Sequence, residues 1–150
     1  MLLVSIFAIL YVAINRPYSV DPAPGANDPK CERVISATPL TLLGEHREEV
    51  TGAGTAAWGD GDVVVRCGVA PPRPTTNLCV TANGTDWVLD EAKASAGGPR
   101  ILTTYGREPA VEVTIRDLSI TPGDVLVDIG EAVNYIPQGA RKCLSMDDTV

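Results

Sequence analysis

Apolar and polar side chains alternate along two short segments, residues 78–82 and 85–89, which are joined by Asn83-Gly84. Asn-Gly favours the two-residue type I′ turn of a β-hairpin, because both residues accept positive φ. This register places Val80 opposite Trp87. Four side chains of the hairpin share the expected core face: Val80, Ala82, Trp87 and Leu89. The same turn matches an N-glycosylation acceptor, but we prefer its structural interpretation as a turn.

Three further segments have strand character. Residues 63–67 are rich in β-branched side chains and follow the glycine-containing turn 59–62. Residues 101–105 predict another strand, and residues 111–116 alternate strictly between apolar and polar positions, which is typical of a half-buried antiparallel strand.

Two segments have apolar positions at helical spacing. Each begins with a capping residue followed by proline, at positions 28–29 and 121–122. Pro39 and Pro137 limit the two predicted helices. The second helix carries an apolar stripe formed by Val125, Leu126, Ile129, Val133 and Ile136.

The order of these elements is helix, about four strands, helix. It predicts an α+β fold in which an antiparallel sheet carries both helices on one face. We expect residues 44–54 and 94–98 to be loops, and residues 138–150 to be a tail.

The first 14 residues are apolar and uncharged. They are fewer than the roughly 20 that a spanning helix needs, and they match the core of a signal peptide. Residues 1–18 are therefore predicted to be a signal anchor or a signal peptide, residues 19–27 a proline-rich tether, and residues 28–150 one extracytoplasmic domain. No basic residue precedes the run and no clear cleavage site follows it. A start further upstream would explain the missing charge, and a buried strand or helix is the other interpretation.

Four cysteines follow this segment, and an even number after an apolar N-terminus indicates an oxidising compartment. Arg16 alone favours the opposite orientation. Four cysteines allow three connectivities, of which we prefer Cys31–Cys67 and Cys79–Cys143. Each bond would contribute roughly 2–4 kcal/mol.

The net charge of −7 argues against nucleic-acid binding, and a hydrophobic content of 45% indicates a folded chain. No cysteine pair has the spacing of a zinc or redox motif, and no serine lies in a nucleophile motif. We therefore expect no cofactor, no metal and no catalytic residue. Asp60 and Asp62 lack the full calcium-loop pattern, and His46 lies in a charged loop.

Several short segments are distinctive, among them residues 57–60, 64–69, 83–87, 104–107 and 126–129. Together they resemble an actinobacterial family of small secreted or membrane-anchored proteins, known only as a domain of unknown function (number thirty-five-fifteen). The resemblance covers residues 31 to about 136. It implies a cell-envelope location and a common fold, and it implies no activity or catalytic residue.

Three side chains are candidates for binding: Arg107, Arg66 and Trp58. Arg107 lies in a turn, which we expect to be exposed and thus suited to binding. Arg66 lies mid-strand and is expected to pair with Asp60, Asp62 or Asp86. Trp58 is expected to anchor the core, with a ligand platform as the alternative.

These observations leave three hypotheses. The first is a non-enzymatic interaction module of the cell envelope, anchored to the membrane through its N-terminal segment and bound to an envelope protein or a cell-wall polymer. The second is a small-ligand-binding protein or enzyme with a pocket near Trp58, Arg66 and Arg107. The third is a cytoplasmic domain with reduced thiols.

Overall fold

A computed structural model describes residue 6 and residues 17–144 of the chain. Ten strands lie in this part: β1 Tyr18–Ser19, β2 Thr41–Leu42, β3 Glu45–His46, β4 Val50–Thr51, β5 Thr55–Trp58, β6 Val63–Val69, β7 Cys79–Ala82, β8 Thr85–Leu89, β9 Arg100–Thr104 and β10 Ala110–Ile115. Three helices accompany them: α1 Pro29–Ala37, α2 Glu91–Ser95 and α3 Pro122–Val133.

Six of the strands form one antiparallel sheet in the order β5-β6-β10-β9-β8-β7. The α+β class is confirmed, but the sheet has six strands where the sequence predicted about four. The predicted segments 63–67, 78–82, 85–89, 101–105 and 111–116 correspond to five of the six strands. The one that was missed is β5, which is short and lies between glycine-containing turns that hide its periodicity.

The predicted hairpin is confirmed. Val80 pairs with Trp87 and Cys79 pairs with Val88. Asn83 and Gly84 both have positive φ, 47° and 75°, as a type I′ turn requires.

Helices α1 and α3 pack against one face of the sheet, which we call the inner face. The Asp28 side chain accepts a hydrogen bond from the Lys30 amide at 2.8 Å, so the predicted N-cap of α1 is confirmed. Thr121 occupies the N-cap position of α3, but its side chain makes no capping hydrogen bond. All five residues of the predicted α3 stripe are buried, including Ile136, which lies beyond the helix end.

The opposite, outer face of the sheet carries the N-terminal segment. Strand β1 pairs in parallel with β4, and the Val20 amide donates to the Thr51 carbonyl at 3.1 Å. Val20, Ala23 and Ala26 are buried. The prediction that residues 19–27 form a tether is therefore wrong, because this proline-rich stretch presents small apolar side chains that fit onto the sheet.

Two disulfide bonds join the same pairs that the sequence favoured, Cys31–Cys67 and Cys79–Cys143. The first lies in the inner core and links α1 to β6. The second links β7 to the C-terminal segment, whose Cys143 amide donates to the Asp86 carboxylate at 2.9 Å.

Two predicted loops contain regular structure instead. Residues 44–54 include β3 and β4, and residues 94–98 overlap the end of α2. In α2 the Asp90 side chain accepts from the Lys93 amide at 3.1 Å, and this cap organises a helix too short to show periodicity.

Within residue 6 and residues 17–144, no helix is both long and apolar enough to cross a membrane. The predicted signal or anchor segment lies, apart from Ile6 and residues 17–18, outside these residues.

Candidate functional site

A groove crosses the middle of the outer face and has a volume of about 340 Å³. We call it the outer groove. Its floor is formed by side chains of three neighbouring strands: Val64 of β6, Thr114 of β10 and Ile101 of β9. Residues 18–21 of the N-terminal segment form one wall, and Lys93 of α2 with Pro99 forms the other. The groove therefore exists because two chain segments cover the outer face only partly.

Arg66 lies at one side of the groove. It is directly paired in register with Glu112 on β10, and its Nη1 donates to Glu112 Oε1 at 3.3 Å. Both side chains remain partly exposed, at 31% and 20%. The Nε atom of Arg66 is buried and donates to no atom of residues 6 and 17–144. The predicted partner among Asp60, Asp62 and Asp86 is wrong, because cross-strand pairing brings Glu112 closer.

Arg116 lines the groove just after β10. Its Nη1 donates to the Gly61 carbonyl at 2.7 Å, and its amide donates to the Asp62 carbonyl at 2.8 Å. The Tyr18 ring packs so closely over Gly61 that a Cβ there would overlap its hydroxyl group. The N-terminal segment thus packs on the turn that contains Gly61, and this turn orients Arg116.

Lys93 adds a third cation at the rim. Its side chain is 60% exposed and lies 4.0 Å from the Asp90 carboxylate. Such an exposed pair restrains a lysine only weakly. The groove is also lined by two carboxylates, Glu112 and Asp21.

Trp58 does not reach the outer groove. It is 1% exposed in the inner core, and its Nε1 donates to the Pro39 carbonyl at 3.2 Å. The expected role of core anchor matches this position, since the indole fills the core while its one donor is satisfied.

Arg107 is buried, at 4% exposure, so its expected exposure is wrong. Its guanidinium donates to the Ile136 carbonyl and to Asn134 Oδ1, both just beyond the end of α3. Burial lowers the pKa of Arg107 below its ordinary value, and the nearby Asp86 charge opposes that shift. These hydrogen bonds fix the segment that follows α3, so the position of Arg107 has a structural explanation.

The three candidates therefore lie apart: Trp58 in the core, Arg66 in the outer groove and Arg107 at the end of α3. Sequence reasoning missed three residues of the groove, which are Arg116, Lys93 and Tyr18. The alternation of β10 places Glu112 and Thr114 on the outer face and extends to Arg116, so this signal was present in the sequence. No pattern in the sequence indicated that residues 18–21 cover the outer face of the sheet.

Two other residues considered in the sequence, His46 and Asp60, make local contacts. His46 is exposed, and its Nδ1 lies 3.3 Å from Thr41 Oγ1. Asp60 belongs to a turn in which its amide donates to the Glu48 carboxylate. Over residue 6 and residues 17–144 no three His, Cys, Asp or Glu side chains are grouped so that they could hold a metal ion.

Fold and groove together define a small α+β domain with two disulfides and a polar cleft on its outer sheet face. The family model described as "Protein of unknown function (DUF3515)" matches residues 1–140, and the chain belongs to this family. The family resemblance found in the sequence is thereby confirmed. No curated protein and no solved structure matches the chain.

Proposed function

We propose that this chain is an exported, non-enzymatic binding module of the cell envelope. The observation that carries the proposal is that all four cysteines, each within residues 17–144, are paired in two disulfides. Such bonds persist in extracytoplasmic compartments and are rare in the cytosol. Both bonds have a structural role, because each joins segments that are distant in the sequence, and stable structural disulfides are typical of exported proteins.

The proposal places the domain close to the membrane. The folded part begins at Tyr18, whose amide donates to the Glu49 carbonyl at 2.8 Å. Only residues 15–17 separate Tyr18 from the apolar run, and four chain steps of about 3.3–3.6 Å span at most about 14 Å. An anchored domain would therefore lie almost against the bilayer surface, and cleavage would release it as a secreted protein.

The contacts of the three candidate side chains favour a binding function over a catalytic one. Trp58 and Arg107 make their hydrogen bonds to carbonyl and amide groups of the protein itself. Arg66 is the one of the three that lines an open cleft. The partner in this proposal is an envelope protein or a cell-wall polymer, and the charge of −7 makes nucleic acid a poor partner.

The first test locates the domain. Cells that express the full chain with a C-terminal tag are treated with an external protease, and a tagged cytosolic protein serves as the control. We expect loss of the tag from this chain while the control stays intact. Protection of both tags would contradict export and favour the cytoplasmic hypothesis.

The second test concerns binding. The same cells are treated with a membrane-permeant crosslinker, and the tagged chain is purified from detergent-solubilised membranes and from the medium. We expect one envelope protein or a cell-wall fragment in a fixed ratio to the chain. Recovery of the chain alone in repeated experiments would contradict an interaction module.

A further inference from the structure

The geometry points to the outer groove as a binding site for a small organic anion, a molecule with a carboxylate or phosphate group on a compact apolar body. The inference concerns the folded domain and holds wherever the protein resides, so it can fail independently of export. It rests on the charges, on the way they are held and on the shape of the groove.

The groove has more cations than carboxylates, whereas the whole chain has more acidic than basic residues. The protein has 12 basic and 19 acidic residues. The groove, in contrast, is lined by three cations, Arg66, Lys93 and Arg116, and by only two carboxylates. Clustered cations in a cleft with poorly solvated walls raise the local concentration of anions.

Both arginines have donors left for a ligand. A guanidinium has five N–H donors. Arg66 uses one of them, to Glu112 at 3.3 Å, and its buried Nε donates to no atom of residues 6 and 17–144. A partly exposed ion pair of this kind contributes little to stability. A ligand oxyanion can therefore compete with Glu112 for Arg66 and gain a two-pronged contact.

Arg116 is oriented before any ligand arrives. Its side-chain hydrogen bond, 2.7 Å to the Gly61 carbonyl, directs it from a turn that Tyr18 covers. A side chain fixed in this way loses little conformational freedom on binding. The N-terminal segment thus contributes a wall of the groove and also supports one of its cations.

The floor and the volume of the groove determine what the ligand can carry besides its anionic group. Ile101 is half-buried and offers aliphatic surface between the charged groups, whereas Val64 and Thr114 are mostly covered. A volume of about 340 Å³ lies at the small end of ligand pockets, which range over roughly 300–1,000 Å³. This favours a compact molecule as the occupant of the groove.

The test uses the full ¹⁵N-labelled chain in a non-ionic detergent, with benzoate and phenyl phosphate as probes. Benzamide is the neutral control, and inorganic phosphate tests the anion without an apolar body. We expect saturable amide shifts in β6, β9 and β10 below about 10 mM probe, where a site with a millimolar Kd is mostly filled. Benzamide is expected to give no saturable shift, and inorganic phosphate to bind more weakly than phenyl phosphate.

Four variants distinguish binding in the outer groove from a general effect of the protein's charge. Arg116→Gln and Lys93→Gln should each weaken binding, Arg116→Gln by about tenfold for a lost charge-assisted contact. Glu112→Gln removes the competitor for Arg66 and should tighten binding. Arg73→Gln, an exposed arginine outside the groove, should leave the Kd within about twofold.

Several results would overturn the inference. These are an absence of saturable shifts with both anionic probes, equal binding of benzamide, or equal effects of Lys93→Gln and Arg73→Gln. Lys93 is mostly exposed, so its variant folds and keeps the test valid even where Arg116→Gln unfolds the domain.

Discussion

The two faces of the sheet are covered in different ways. The inner face lies under α1 and α3, and its large side chains, such as Trp87 and Ile115, are fully buried. The outer face is covered by the N-terminal segment and by α2, which leave a cleft with charged walls between them. Apolar burial is the main source of folding stability, whereas open polar clefts contribute little to it and are available for ligands. Mutations on the inner face should therefore affect stability most, and mutations on the outer face should affect binding.

The largest expected losses of stability come from removing the two disulfides. The chain-entropy model alone assigns each about 4 kcal/mol, slightly more for Cys79–Cys143, which spans 64 residues against 36. Cys31 and Cys67 are also fully buried, so replacing both by alanine leaves a cavity in the core. We expect a loss of about 5 kcal/mol for Cys31→Ala with Cys67→Ala and about 4 kcal/mol for the other pair, measured by urea unfolding. A larger loss for the outer pair would mean that loop length outweighs packing.

Smaller losses of stability are expected from replacing two isoleucines. Ile129 is fully buried on α3, and Ile129→Ala should lower the free energy of unfolding by about 3 kcal/mol. Ile101 is half-buried on the groove floor, and Ile101→Ala should cost about 1 kcal/mol. Urea unfolding of the two variants under identical conditions measures both. Equal losses would show that the outer face is packed as tightly as the inner one.

Two glycines with positive φ test the attachment of the N-terminal segment. At Gly61 a Cβ would meet the Tyr18 ring, whereas at Gly84 no atom of the described residues lies within 4 Å of it. Their φ values, 84° and 75°, are similar, so Gly→Ala should cost about 1 kcal/mol of backbone strain at each. Gly61→Ala should cost about 1 kcal/mol more. It should also increase hydrogen exchange of the Val20 amide, while Gly84→Ala leaves that amide protected. Unchanged protection in Gly61→Ala would show that Tyr18 does not hold the segment.

The smallest effect concerns the loop after β10. Hydrogen bonds from the Ser119 side chain and the Ser119 amide lower the pKa of Asp117 below its ordinary value. A depressed carboxyl pKa adds stability above the unfolded pKa, and this contribution is lost as the pH falls through the folded pKa. Ser119→Ala should raise the pKa of Asp117 only part of the way, since the amide bond remains. NMR titration of the carboxyl group measures this shift, and an unchanged pKa would assign the whole effect to the amide.

The inner face could be predicted from the sequence far better than the outer one. The stripe of α3 and the alternation of β10 are local periodic signals, and the structure buries those positions as expected. The Asn83-Gly84 turn fixed its hairpin register for the same reason.

The outer face depends on contacts between residues distant in sequence. Residues 19–27 are rich in proline and glycine, and nothing in their pattern shows that Val20 packs on Val64. The burial of Arg107 likewise depends on where α3 ends, about 30 residues later in the chain. Of the candidate site only Arg66 was identified, because a charged residue inside an apolar strand is visible without its neighbours.

The measurement that tests this account most directly is the disulfide state of the protein in cells. Acid quenching followed by alkylation traps free thiols, and digestion with trypsin and chymotrypsin then separates the cysteines. Trypsin alone leaves Cys67 and Cys79 in one peptide, because the Arg73 bond precedes proline. The account predicts no alkylated cysteine and two cross-linked peptide pairs, Cys31 with Cys67 and Cys79 with Cys143. Four alkylated cysteines would contradict an oxidised, exported domain.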